Sequence, residues 1–224
     1  MINICIIPAR GGSKRIPKKN IKIFLGYPII TYVIKMALKS KIFDKVIVST
    51  DNKKIASISK KCGAEIFKRS KKLSNDIAGT NEVVCDVIKN YEKKFDIYKV
   101  CCLYPTSIFC PKNILQKAFK ILNKQTKYVF SATKFGHPVF RSFTYEKNKI
   151  SMLFPNKEKE RTQDLSDVFH DAAQFYLGWK SSWLKSKSIF NKKSKFVEIK
   201  ENLTQDIDNP SDWELAKTKY LKNK

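Results

Sequence analysis

Two periods of hydrophobicity alternate along the chain. Continuous apolar runs at 2–7, 46–50, 97–103 and 128–133 are short and rich in Ile and Val, as buried strands are. Between them the apolar positions recur every three or four residues. Residues 29–40 align Ile30, Val33, Ile34, Ala37 and Leu38, and residues 53–62 align Ile55, Ile58 and Ser59. Residues 80–94 align Val83, Val84, Val87, Ile88 and Tyr91, and residues 112–123 align Ile114, Leu115, Ala118, Phe119 and Leu122. Pro111 suits the first turn of the last of these helices. Strand–helix alternation of this kind predicts an α/β fold, a Rossmann-like three-layer α/β/α arrangement with a mostly parallel sheet. Ligands of such sheets sit at the carboxyl ends of the strands. Here those ends are Pro8–Arg10, Ser49–Asp51, Tyr104–Ser107 and Ala132–Lys134.

The pattern changes between 134 and 170. Alternating stretches at 139–145 and 149–154 flank Glu146, Lys147 and Asn148 and predict a β-hairpin. A charged loop from Asn156 to Arg161 follows. Phe140, Phe143, Met152 and Phe154 make this excursion more apolar than a solvent-bound hairpin needs to be. Strand-like character resumes at 173–178 and 196–199. A last helix is expected over 211–222 behind Pro210, carrying Trp213, Leu215, Ala216 and Tyr220. Repeats, linkers and low-complexity tracts are absent, so residues 1–224 read as one domain with 134–170 as an appendage.

A net charge of +25 raises a nucleic-acid reading. Of 45 cations, however, five are arginine: Arg10, Arg15, Arg69, Arg141 and Arg161. Arginine is the residue preferred for bidentate phosphate and base contacts. A basic, non-enzymatic RNA-binding protein would need an arginine-rich face or an aromatic stacking platform, and neither is visible. The dispersed lysines read as a solvated surface and the arginines as functional candidates. No apolar run reaches the length of a membrane span, and the N-terminus starts a strand rather than a signal peptide. A cytoplasmic protein without a nucleic-acid or membrane partner is expected. Cys5, Cys62, Cys85, Cys101, Cys102 and Cys110 form no C-x-x-C pair and are expected as reduced thiols, not zinc ligands or disulfides.

The most informative stretch is IPARGGSKRIPKKN, Ile7 to Asn20, which leaves the first predicted strand directly. Gly11 and Gly12 let the backbone approach an anion, and Arg10, Lys14 and Lys19 add fixed positive charge. The spacing is neither G-x-x-x-x-G-K-[ST] nor G-x-G-x-x-G. A Gly-Gly pair alone would suit a flexible basic turn. Its place after strand one, three separated cations and Asn20 favour a nucleotide site. Asp206 and Asp208 stand two apart in an extended segment and project to one face. Two adjacent carboxylates repel and need a cation, and oxygen ligands suit Mg²⁺. On the residues alone a helix-entry turn explains this segment better, with Asp208, Asn209 or Ser211 as N-cap. Asp51 reads as a cap for the helix at 53 or as a residue that positions a loop. Thr80 reads as a cap or a nucleotide contact. His137 reads as a turn residue, His170 as a surface histidine, and Phe175, Tyr176 and Trp179 as core.

IPARGGSKRIPKKNIK resembles the signature of the cytidylyltransferases that activate nine-carbon acidic sugars, the CMP-sialic acid synthetase family. The resemblance continues in VSTDNKKIA at 48–56, YPTSIF at 104–109, HDAAQFYLG at 170–178 and QDIDNPSDWE at 205–214. RTQDLSDVFHDAAQFYLGW is most similar to the pseudaminic acid branch. The resemblance implies a nucleotide-sugar transferase fold, CTP and a nonulosonic acid as substrates, and Mg²⁺ on Asp206 and Asp208, leaving capping to Asn209 or Ser211. It implies a homodimer in which 134–170 is an arm reaching to the partner subunit. Nucleotide contacts are implied for Ala9, Arg10, Gly11, Gly12, Ser13, Lys14, Lys19, Asn20 and Thr80. A sugar pocket is implied for Tyr104, Arg141, Arg161, Gln163, His170, Asp171 and Gln174, with Arg161 or Arg141 clamping the sugar carboxylate.

Arg10, Lys19, Asp206 and Asp208 would carry the chemistry. The anomeric hydroxyl would attack the α-phosphate of CTP in line and pyrophosphate would leave, with no side chain standing out as general base. Where the sialic acid synthetases usually read QPTSP, this chain reads YPTSI. Tyrosine cannot give an amide's paired contacts, which points away from N-acetylneuraminic acid. Sialic, legionaminic and ketodeoxyoctonic acids are the alternative substrates. Ser13, Arg15 and Pro17 resemble enzymes for the last of these, while Gly11-Gly12 and Lys19-Asn20 do not.

Overall fold

In the first strand, β1 (Ile2–Pro8), successive side chains point to opposite faces of the sheet. Cys5 and Ile7 join one buried cluster, Ile4 and Ile6 another. Both faces are covered, which is why the strand reads as a continuous apolar run rather than an alternating one. The computed structural model describes residues 1–186 and 188–223. After β1 come a small hairpin, β2 (Ile23–Phe24) and β3 (Tyr27–Pro28), then α1 (Ile29–Ser40), β4 (Lys45–Thr50), α2 (Lys53–Lys61) and β5 (Glu65–Lys68). Next follow α3 (Thr80–Tyr91), β6 (Ile97–Leu103), α4 (Lys112–Ile121) and β7 (Tyr128–Lys134). The excursion holds β8 (Phe143–Glu146) and β9 (Lys149–Met152), and the chain closes with β10 (Phe169–Trp179), α5 (Lys180–Lys185), β11 (Ser194–Glu198) and α6 (Pro210–Lys222).

Seven strands form one sheet in the order β11-β7-β10-β6-β1-β4-β5. β10 runs antiparallel to β6 and β7, and the other pairs are parallel. Helices α1, α2 and α4 pack on the Cys5 and Ile7 face, α3 and α5 on the Ile4 and Ile6 face. The mostly parallel three-layer fold expected from the sequence is the one observed. Ile30, Val33, Ile34 and Ala37 of α1 are fully buried, each large one contributing about 1.5–3 kcal/mol, which outweighs the helix cost of their branching.

Differences from the expected elements have local causes. β5 is four residues long with charges at both ends, too short for periodicity to register. The hairpin is narrower than 139–145 with 149–154. Val139–Arg141 forms a short helical turn instead of strand, because the Arg141 guanidinium turns to donate to the Glu158 and Glu160 carbonyls. Lys147 and Asn148 both take left-handed conformations, φ 49° and 62°, as a tight hairpin turn requires. Phe143, Tyr145 and Ile150 remain 55%, 65% and 65% exposed, an apolar surface without cover in one chain.

A third cluster positions the site. Ile16 from the loop after β1, Phe24, Phe109, Ile207, Trp213 and Ala216 pack together, tying α6 to the start of the chain. Trp213 and Tyr220 meet the Phe24 ring edge-on at 5.6 Å each. Among the described residues no helix is long and apolar enough to cross a membrane. All six cysteines are free, and burial pushes the Cys5, Cys101, Cys102 and Cys110 thiols up, away from reactivity.

Candidate active site

A cleft of about 460 Å³ opens at the carboxyl ends of β1 and β6, beside the bulged part of β10. Arg10, Ser13, Lys14, Lys19, Asn20, Thr80, Tyr104, Asp171, Asp206 and Asp208 all line it, so residues expected for nucleotide, sugar and metal converge on one cavity.

The basic loop is braced from behind. The Ala9 amide donates to the Ser49 carbonyl and the Gly11 amide to Asp51 Oδ1, both at 2.9 Å. Asn20 Nδ2 holds the Arg10 carbonyl at 2.9 Å. A Cβ on Gly11 would come within 2.8 Å of Asn52 Nδ2, so the close pass of loop over helix needs glycine here. The Ala9 and Gly11 amides are thus held by Ser49 and Asp51 rather than turned toward the cleft. Ala9, Gly11 and Gly12 do not line the cleft, to which the loop contributes Arg10, Ser13, Lys14, Lys19 and Asn20. Asp51 positions the loop, and its neighbour Asn52 caps α2, accepting from the Lys54 and Ile55 amides at 2.9 and 3.1 Å. Lys18 takes a left-handed conformation, φ 54°, and the turn it starts sends Lys19 inward. Lys19 Nζ donates to the Ile207 carbonyl at 2.6 Å and lies 3.5 Å from Asp208 Oδ1.

Opposite the loop, Ile207 is wholly buried in the third cluster, and its alternation sends Asp206 and Asp208 to the cleft. Asp208 Oδ1 also meets Arg15 Nη2 at 2.8 Å. Asn209 caps α6. It accepts from the Asp212 amide at 3.0 Å, and Asp212 Oδ2 accepts in return from the Asn209 and Asp208 amides at 2.9 Å each. Of the three cap candidates the sequence offers, Asn209 is the one that caps, and Asp208 is left free to face the cleft. Crowding by surrounding protein, then the Asp208 charge, raises the Asp206 carboxyl above its ordinary range. No group of three or more His, Cys, Asp or Glu side chains capable of holding a metal gathers among the described residues. Two carboxylates on one edge fit an ion that takes its other ligands from water and phosphate, the habit of Mg²⁺.

On the other wall, Tyr104 and Thr80 share a hydrogen bond of 2.8 Å between their hydroxyls. Burial pushes the Tyr104 phenol up to about 12, so it stands as a neutral hydrogen-bonding group. The Tyr176 hydroxyl donates to Asp171 Oδ2, and Asp171 Oδ1 accepts from the Ala173 amide at 2.9 Å. Ala173 sits left-handed, φ 51°, where the β7–β10 register breaks between Asp171 and Tyr176.

Five residues expected at the sugar do not line this cleft. Gln174 is 1% exposed and turns its Nε2 to the Ala172 carbonyl at 3.1 Å, below the wall. His170 packs against the Phe135 ring, tilted, with centroids 4.6 Å apart. Arg141 braces the excursion from within, and Arg161 and Gln163 are exposed on its surface. Among the cleft residues outside the expected set are Tyr176, Arg15 and Arg69. Tyr176, read as core, is both core and wall. Arg15 pairs with Asp208. Arg69, 6% exposed, lines the cleft and donates to the Ser49 carbonyl at 2.7 Å and to Ser49 Oγ at 3.2 Å. The scarcity of arginine in so lysine-rich a chain is the signal that marks both.

The profile of the family described as Cytidylyltransferase matches residues 4–224. The chain is 44% identical to a pseudaminic acid cytidylyltransferase of Campylobacter jejuni, over 100% of this chain and 98% of that protein. It is 29% identical to the CMP-N,N'-diacetyllegionaminic acid synthase of Legionella pneumophila, over 95% of this chain and 94% of that one. Among solved structures, a CMP:2-keto-3-deoxy-manno-octonic acid synthetase complexed with CTP superposes with a TM-score of 0.69 over 99% of both chains at 14% identity, a likeness of fold. A family profile spanning nearly the whole chain and relatives alike from end to end lead to one conclusion: the chain belongs to the cytidylyltransferase family.

Proposed function

We propose that the protein transfers CMP from CTP to the anomeric hydroxyl of a nonulosonic acid, pseudaminic acid foremost, and releases pyrophosphate. The observation that carries this reading is the cationic loop facing paired aspartates across one cleft, in a chain 44% identical throughout to a pseudaminic acid cytidylyltransferase. Transfer of this kind needs positioning and charge neutralisation more than covalent chemistry. Arg10, Lys14 and Lys19 would hold the triphosphate, with Ser13, Asn20 and Thr80 contacting nucleotide. Asp206 and Asp208 would hold Mg²⁺. When bound there, the ion supplies neutralisation of charge on the phosphate oxygens and lowers the pKa of a coordinated hydroxyl. Tyr104 and Asp171 would face the sugar. Tyr104 stands where the sialic acid synthetases usually carry Gln, and the identity of 44% against 29% for the legionaminic enzyme supports the same choice.

The exposed Phe143, Tyr145 and Ile150 support a homodimer in which the excursion is covered by a second copy. Arg141, Arg161 and Gln163 would then serve the pocket at the subunit boundary. Use of CTP and six free cysteines support a cytoplasmic location. A pyrophosphate-release assay with CTP, Mg²⁺ and a panel of pseudaminic, legionaminic, N-acetylneuraminic and ketodeoxyoctonic acids tests the reading. Highest kcat/KM with pseudaminic acid is expected. A better rate with another acid reassigns the substrate, and no release with any of them sinks the proposal.

A further inference from the structure

One carboxylate outside the aspartate pair already sits on the loop's cations. Asp76 Oδ1 accepts from Arg10 Nη1, and its Oδ2 lies 2.5 Å from Lys14 Nζ. These are two of the three cations that would hold a triphosphate. Asp76 belongs to the segment between the turn at Lys71–Leu73 and α3. That segment is closed on itself. Asn75 Oδ1 accepts from the Ile77 and Ala78 amides at 3.0 and 2.8 Å, and the Gly79 amide donates to Glu82 Oε2 at 2.8 Å. Among the described residues, no backbone hydrogen bond joins 75–78 to a strand of the sheet, and Ile77 is 90% exposed. The Asp76 ion pairs are therefore the polar tether of the segment to the loop, and Ala78, two residues on, lines the cleft.

We infer that Asp76 is an internal competitor for anionic ligands of the loop, a carboxylate that a phosphate group must displace to take Arg10 and Lys14. A phosphate drawn to these cations meets the carboxylate at contact range, and like charges so close repel. Ion pairs open to solvent are weak, so displacement is cheap for a triphosphate that brings more charge and more acceptor oxygens. It is not free, and the affinity of the loop for any anion is lowered by that amount. In a protein of net charge +25 this keeps two cleft cations ordered and neutralised against weaker anions. When pyrophosphate leaves, the same carboxylate retakes the cations. Asp76 is a positioning residue by this argument. The choice of CTP as ligand rests on the proposed function, whereas the competition itself needs only the geometry.

The test is calorimetric titration of the full chain and its Asp76→Asn variant with inorganic pyrophosphate and, separately, with CTP. Both ligands are expected to bind the variant about 3–10-fold tighter, the effect of removing exposed ion pairs. Asp76→Ala must move in the same direction. Asp96→Asn, which deletes an exposed charge elsewhere, is expected to leave both affinities within about twofold, the scale of a remote screened charge. A purely structural role for Asp76 predicts no gain. Unchanged or weaker pyrophosphate binding in Asp76→Asn overturns the inference. If pyrophosphate tightens while CTP binds neither protein, the competition stands and the nucleotide reading fails.

Discussion

At the scale of residues, neighbours with the same formal charge carry unequal weight. Lys19 reaches across the cleft to the Ile207 carbonyl and Asp208, while Lys18 spends its backbone on the left-handed turn and is exposed. Lys19→Ala should lower kcat/KM by about 2–4 kcal/mol, the range for one preorganised electrostatic contact. Lys18→Ala should cost little, and steady-state kinetics on the two variants separates a site from a generic basic patch. Asp206→Asn and Asp208→Asn should both collapse Mg²⁺-dependent turnover. Asp206→Asn should also raise Tm at neutral pH. The folded carboxyl is held above its ordinary range, so ionising it opposes folding. That penalty is complete above the raised value and vanishes below the unfolded one. The gain in Tm should therefore fade as pH drops through the ordinary aspartate range, and thermal melts across pH would reveal a constant gain as a contradiction. The cations of the loop were legible because they crowd one short stretch. Asp76 and Tyr176 were not, because their roles come from partners distant in sequence.

At the scale of elements, hydrophobic period carried most of the prediction. Helix α1 lies where its stripe says, because four fully buried apolar side chains leave no alternative register. Ends were less legible. Residues 80–94 and 112–123 read as longer helices than α3 and α4, which end at Tyr91 and Ile121. The excursion failed for a different reason, since Arg141 makes tertiary bonds that no local pattern encodes. The site was legible where an element delivers it and illegible where a bend does, as at the Ala173 bulge. The cap on α6 gives a test at this scale. Asn209→Ala should cost about 1 kcal/mol of stability. It should also weaken Mg²⁺ activation, because the Asn209–Asp212 box holds the Asp208 amide. Loss of stability with unchanged Mg²⁺ dependence would separate the cap from the carboxylate pair.

At the scale of the whole molecule, the excursion is the part least explained by a single chain. Deleting Gly136 to Phe154 should abolish dimer, measured by sedimentation, and sugar turnover together. CTP binding should survive better, since the loop after β1 rests on the core sheet. A wild-type protein that sediments as a monomer at working concentration yet turns over at full rate rules this arrangement out. Two of the five arginines, Arg10 and Arg15, are paired with acids, Asp76 and Asp208.

The cluster that ties α6 to the loop after β1 also sets a clock. Lys19 and Asp208 are 189 residues apart in the chain. At the pace of translation the carboxylate pair emerges on the order of ten to forty seconds after the cations it faces. Throughout that interval a nascent chain carries the basic loop, and soon Asp76, but neither Ile207 to pack beneath it nor the aspartates opposite. The two walls therefore meet in one late step, with the docking of Trp213 against Phe24, and a protein clipped before α6 would keep its seven-stranded sheet and both aspartates but lose the packing that holds them against the loop.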